Sequence, residues 1–157
     1  MELIKLYCDG GCRGNGSSAN VGGYGAYMEY WIDDQLITSK EIKGGERNTT
    51  NNQMELKAAI EGMKAIKNKT IKTIVYLDSK YVKEGLSGWL TGWRMRNWKL
   101  ASGKPIKNKE LWIELDGLRS QFWDISYEWV KGHGGNEGNE KVDSLTNEYM
   151  DYLESEE

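Results

Sequence analysis

Two short β-favouring runs each stop at an aspartate, and a helical segment separates them. Residues 3–8 lead into Asp9, and the β-branched run 71–77 leads into Asp78, with Ser79 following as a helix-capping residue. Between them Leu56, Ala59, Ile60, Met63 and Ile66 recur at spacings of three and four across residues 51–67, the period of an amphipathic helix, and residues 49–52 supply its polar cap. A strand, helix, strand succession normally closes by a right-handed crossover that lays the later strand parallel to an earlier one. Asp9 and Asp78 can then stand side by side. In open α/β sheets ligands meet the protein outside the carboxyl ends of the strands, which is where both aspartates fall.

The remaining pattern builds a mixed sheet around this unit. A glycine-rich turn spans residues 10–16, and residues 22–30 and 35–43 read as two strands joined through a short hairpin connection at 31–34, completing an antiparallel meander. Helical sequence resumes at 81–86 and 89–95, breaks at 101–105 around the single proline, and returns with Leu111, Leu115 and Leu118. Residues 125–130 form a fifth strand, 132–138 a flexible loop, and Val142, Leu145, Tyr149 and Leu153 the stripe of a last helix. The tail 151–157, with four acids, reads as frayed. With no repeat, low-complexity segment or linker, residues 1–157 are expected to form one domain of α/β class.

At 38% hydrophobic and 29% charged, a chain of 157 residues can bury enough surface to fold without disulfides or a structural metal. Cys8 and Cys12 lie too close in sequence to close a useful loop, and a single histidine excludes a Cys/His zinc site, so both thiols are expected free. No stretch approaches the roughly 18 apolar residues of a membrane span, and the first residues lack a signal-peptide core. The expectation is a cytoplasmic protein without a membrane partner. The net charge of −3 is unevenly spread: residues 80–109 carry eight cations against Glu84 alone, +7, which leaves −10 on the remainder. The basic stretch is a footprint for phosphate, whereas the acidic remainder serves either solubility or a cluster of metal-binding carboxylates.

Glu55, in the first turn of the first long helix, and Asp143, near the start of the last, add two acids to Asp9 and Asp78. Any one of them is commonly a cap or a solvated charge. Four converging carboxylates repel one another unless divalent cations neutralise them. All-oxygen donors suit Mg2+ or Mn2+, a combination that points to phosphoryl chemistry. His133, the one histidine, lies between Gly132 and Gly134 with no apolar face to claim it; a lone surface histidine is usually inert, yet its ordinary pKa suits proton shuttling. Trp89, Trp93 and Trp98 interleave with Arg94, Arg96 and Lys99. This mix fits a basic arm on a nucleic-acid backbone, while core packing competes evenly for Trp89 and Trp93 and less for Trp98.

Four blocks occur in order: YCDGGCRGNG at 7–16, TTNNQMEL at 49–56, YLDSKYV at 76–82 and WVKGHGGNEGNEKVD at 129–143, with the basic GWLTGWRMRNWK at 88–99. In these the chain resembles type 1, bacterial-like ribonuclease H of the ribonuclease H-like superfamily, over residues 3–153. The resemblance implies a five-stranded mixed sheet of order 3-2-1-4-5 flanked by helices. It implies an endonuclease that cuts the RNA strand of RNA/DNA hybrids with two Mg2+ ions, Mn2+ as substitute, leaving 5′-phosphate and 3′-hydroxyl ends. The family's acidic tetrad falls on Asp9, Glu55, Asp78 and Asp143, with Asp9 bridging both ions, and its assisting histidine on His133. Gly10, Cys12, Asn15, Asn51 and Asn52 match positions lining the hybrid's minor groove, where a contact to the 2′-hydroxyl tells RNA from DNA. Thr50 and Asn52 match a DNA-phosphate contact, and Trp89, Trp93, Arg94, Arg96, Trp98 and Lys99 the DNA-gripping arm.

The expected partner is the hybrid duplex and the expected state a monomer. The chain departs from the family pattern in the added length at 17–20, in lacking a proline after Asn15, and in carrying Lys80 where a base-contacting glutamine is common. Two other readings share the fold: a noncatalytic hybrid-binding module, disfavoured because a binder gains nothing from acids where phosphate must lie, and a DNA nuclease or recombinase.

Overall fold

Three long strands, β1 (Glu2–Arg13), β2 (Val21–Ile32) and β3 (Gln35–Arg47), form the antiparallel meander. The computed structural model describes residues 1–14, 20–131 and 136–156. Helix α1 (Asn51–Ala65) crosses over to β4 (Thr73–Leu77), which pairs parallel with β1, and β5 (Ile125–Trp129) pairs parallel with β4. The five strands run in the order β3-β2-β1-β4-β5, as the resemblance implies. Between β4 and β5 lie α2 (Lys80–Glu84), a π-helical turn (Gly85–Trp89), α3 (Leu90–Met95) and α4 (Lys109–Arg119); α5 (Glu137–Ser155) closes the chain.

The sheet is sandwiched between helices. On one face Leu56, Ala59, Ile60, Met63 and Ile66, the residues of the helical period, are all buried against Ile4, Leu6, Cys8, Val75 and Leu77. Trp112 of α4 is fully buried in the same core. On the other face α5 buries Val142, Leu145 and Met150, and alternation along β2 serves both layers: Ala26 meets Gly62 of α1, while Gly25 meets Val142 and Leu145. Both cysteines are free. No helix among the described residues is long and apolar enough to cross a membrane.

Several boundaries differ from expectation for identifiable reasons. β1 does not end at Cys8 in a glycine-rich turn but runs on to Arg13, because Gly10, Gly11 and Cys12 pair with Tyr24, Gly23 and Gly22 of β2. The hairpin loop narrows to Asp33 and Asp34, both left-handed (φ 48° and 66°), as a tight turn between twisted strands demands. The helical pieces after β4 are continuous through the π-turn, where the Trp112 ring lies so close to Gly85 that no Cβ fits. Over its described residues the tail is helical rather than frayed: α5 extends to Ser155, tied by Arg13 to Asp151 (2.7 Å) and Glu154, and by the Arg47 guanidinium to the Leu153 carbonyl (2.6 Å). The loop expected over 132–138 is already helical from Glu137, with Asn136 accepting from the Asn139 N–H at 3.0 Å as the cap.

Candidate active site

Parallel pairing of β1 with β4 ends at Cys8 opposite Leu77, so Asp9 and Asp78 each follow the last shared rung and stand side by side. Asp9 is therefore not at the end of its strand, as the sequence suggested, but at the end of its pairing with β4. Glu55 arrives from α1, whose N-cap is Thr50, the side chain accepting from the Gln53 N–H at 3.1 Å. The Gly10 N–H donates to Glu55 Oε1 at 2.9 Å, and Gly10 lies so close to the backbone of Met54 and Glu55 that any Cβ would collide with it. Glycine at this position lets the helix start settle onto β1.

Asp9, Glu55 and Asp78 each offer a carboxylate oxygen within 4.8 Å of the others. Asp9 and Glu55 are buried and Asp78 is half-buried. Among the described residues, Glu55 Oε2 and Asp78 Oδ1 are buried and accept from no hydrogen-bond donor. Burial first, and then the charge of Asp78, pushes the Asp9 carboxyl up to about 8. Burial, reinforced by Asp78 and Asp9, drives Glu55 well above the usual carboxylate range, and burial raises Asp78 as well. Buried carboxylate oxygens this crowded ask for protons or a cation, and carboxylate donors fit a hard divalent one. Asp143 is exposed on the second turn of α5 and is not one of the three converging groups; its charge nevertheless acts on both Asp9 and Asp78, which puts it on the rim.

The other sequence-read positions divide. His133 and Asn15 lie outside the described residues. Gly10 is buried, whereas Cys12 is half-buried with its thiol 3.7 Å from the Thr49 carbonyl. Because Thr50 makes the cap, Asn51 and Asn52 are not its capping groups; Asn51 is exposed and Asn52 half-buried at the start of α1. Trp93 packs edge-on against Trp112 with centroids 5.3 Å apart, and Trp89 lies 5.6 Å from Trp93 while 40% exposed. Trp98, expected to be the least core-like of the three, also packs against the core. Arg94, Arg96 and Lys99 are exposed, Arg94 with its Nε 3.7 Å from Asp116.

Sequence reasoning missed two contacts beside the site. Asn20, read as added loop length, is buried and bonded both ways with Thr49, its amide donating at 3.1 Å and accepting at 2.9 Å, so it ties the start of β2 to the start of α1. The Trp129 indole N–H donates to the Asp78 main-chain carbonyl at 3.0 Å. Neither pairing leaves a local pattern in the sequence, since each partner lies tens of residues away.

A family model for RNase H matches residues 1–151. A ribonuclease H of Hydrogenovibrio crunogenus is 48% identical over 153 residues, covering 98% of this chain and 99% of its own. One of Francisella philomiragia is 48% identical over 144 residues, covering 92% and 88%. Among solved structures, LC9-RNase H1, a type 1 RNase H with the type 2 active-site motif, superposes with a TM-score of 0.84 at 31% identity, over 96% of this chain and 72% of that one. The N-terminal RNase H domain of rv2228c from Mycobacterium tuberculosis gives 0.70 at 28% identity over 99% of both. Sequence blocks, strand order and relatives converge: the chain belongs to the ribonuclease H family, metal-dependent endonucleases that hydrolyse the RNA strand of RNA/DNA hybrids.

Proposed function

We propose that the chain cuts hybrid RNA by two-metal-ion catalysis with Mg2+, Mn2+ serving as substitute, at Asp9, Glu55, Asp78 and Asp143, and leaves 5′-phosphate and 3′-hydroxyl ends. The observation that supports this reading is the convergence of three carboxylates, two of whose buried oxygens have no donor among the described residues. Divalent cations there supply Lewis-acid activation of the attacking water and neutralise charge that builds on the phosphorus oxygens.

Asp9, Glu55 and Asp78 would hold the cations, Asp9 contributing to both as the resemblance implies, and exposed Asp143 would complete the set from the solvent side. The Gly10 N–H holds one oxygen of Glu55, and the other, Oε2, is buried with no donor among the described residues. His133, which lies in sequence between β5 and α5, assists by shuttling a proton. Gly10, Cys12, Asn15, Asn51 and Asn52 face the minor groove, Thr50 and Asn52 hold a DNA phosphate, and Trp89, Trp93, Arg94, Arg96, Trp98 and Lys99 hold the DNA strand. Residues 1–157 act as one domain, a cytoplasmic monomer.

End-labelled RNA/DNA hybrid, RNA duplex, DNA duplex and single-stranded RNA, each incubated with Mg2+ and with EDTA, test the reading. Magnesium-dependent cutting of the hybrid's RNA alone is expected. Hybrid binding without cutting in either Mg2+ or Mn2+ would mean that the acidic cluster is not a catalytic centre. Asp9→Asn abolishes activity, whereas His133→Ala slows turnover without abolishing it; equal losses would refute that division of labour.

A further inference from the structure

Lys80 opens α2 two residues after Asp78, and no acid sits in that first turn. Among the described residues its ammonium forms no ion pair with the nearby carboxylates. It lies over the Trp129 ring, 4.5 Å from the centroid. Trp129 is the last residue of β5 and remains 42% exposed, and its indole N–H is the group that holds the Asp78 carbonyl. One side chain thus grips the backbone of an acidic-cluster residue through its edge and a lysine through its face. The adjacent rung reinforces the grip, the Val130 N–H donating to the Leu77 carbonyl at 2.8 Å.

A cation held on an aromatic face is not consumed in neutralising Asp9, Glu55 or Asp78. The ring interaction at a half-exposed site is weak enough to be shared with a stronger anion, and lysine is a point-charge phosphate binder. We propose that Lys80 contacts a backbone phosphate of the bound hybrid next to the acidic cluster, and that Trp129 is the positioning residue that holds both Lys80 and the Asp78 main chain for it. This rests on the hybrid-cleaving reading above, so cleavage by the unmodified protein in Mg2+ is measured first. Hybrid binding in EDTA is measured alongside, and it reads the phosphate contact even if no cutting occurs.

Lys80→Gln should raise KM and Kd for hybrid several-fold and flatten the slope of log Kd against log salt by about 0.7–0.9, the value for one phosphate left without its cation. Its kcat should stay within about twofold and its Mg2+ midpoint unchanged, because the cation acts on substrate binding. Trp129→Leu should reproduce the change in slope, and Lys80→Gln should add nothing to it. Trp129→Phe, which keeps the ring but loses the N–H, should retain the slope and lower kcat. An unaltered slope in Lys80→Gln would overturn the proposal. So would a displaced Mg2+ midpoint with the slope intact, which would put the cation on the acidic cluster, and fully additive effects would uncouple Lys80 from Trp129. If Trp129→Leu loses its fold by circular dichroism, Lys80→Gln and Trp129→Phe decide the matter.

Discussion

At the scale of single residues, Asp9 is held in conflict. Its folded-state pKa, about 8, lies above the ordinary aspartate value of 3.8, so the folded protein binds this proton more tightly than the unfolded chain. The metal-free protein is therefore fully stabilised below about pH 4 with respect to this group, and it loses that contribution as pH rises through about 8. Thermal unfolding in EDTA should show Tm falling between about pH 5 and pH 8. Asp9→Asn removes one of three crowded charges: it should raise the metal-free Tm at pH 8 by about 2–4 °C per kcal/mol of relieved repulsion while abolishing cleavage. Mg2+ or Mn2+ should raise Tm for the unmodified protein and much less for the variant. A metal-free Tm independent of pH over this range would mean that the three carboxylates do not feel one another. The acids themselves were legible in the sequence from the strand and helix pattern around them, although Asp9 lies within β1 rather than at its end and Glu55 in the second turn of α1 rather than the first. Their convergence was legible as well, but the burial that accompanies it was not, since it depends on Gly10 admitting the α1 backbone onto β1.

At the scale of elements, periodicity located α1, α4 and α5, but it could not foresee how the basic segment is held. Ser87 and Gly88 read as an interruption between two helical pieces, yet the π-turn carries the helix through them because Trp112 packs on Gly85. α4 fastens the segment through a buried charge: Asp116 accepts from Arg119 Nε at 2.7 Å and lies 3.7 Å from Arg94 Nε. Arg119 in turn donates to the Leu86 carbonyl at 3.3 Å and to the Thr91 hydroxyl at 3.4 Å. Arg94 meets Asp116 through Nε and is otherwise exposed, so its guanidinium can reach a phosphate as well. Asp116→Asn should cost about 3 kcal/mol, as breaking a buried pair does, and should raise KM for hybrid more than it lowers kcat. In an Arg94→Gln background the KM effect should shrink while the loss of Tm persists; an undiminished KM effect would show that Asp116 does not act through Arg94. Gly85→Ala, which overpacks Trp112, should lower Tm by an amount corresponding to about 1–3 kcal/mol.

At the scale of the molecule, the chain is a charge-separated object, +7 across residues 80–109 and −10 elsewhere, with the acidic cluster within the negative part. The topology was readable because ordered blocks of sequence mark the ends of β1, α1, β4 and α5. The crossover that gathers Asp9 and Asp78 was readable too; what was not is the helical path through the π-turn that carries Arg94 and Arg96 outward. Two fields then act on an incoming duplex: the basic segment attracts its phosphates, and the acidic cluster repels them until cations fill it. Substituting Arg94, Arg96 and Lys99 together with neutral residues should raise KM, leave kcat nearly unchanged and flatten the salt slope by about 0.9 for each phosphate that is no longer neutralised. Asp9→Asn should do the opposite to binding in EDTA, tightening it while the slope stays as it was, because it lessens repulsion without removing a cation that displaces counterions from the hybrid. If the triple variant kept the original salt slope, the grip on phosphate would have to come from elsewhere on the surface, and the separation of charge along the chain would serve solubility rather than binding.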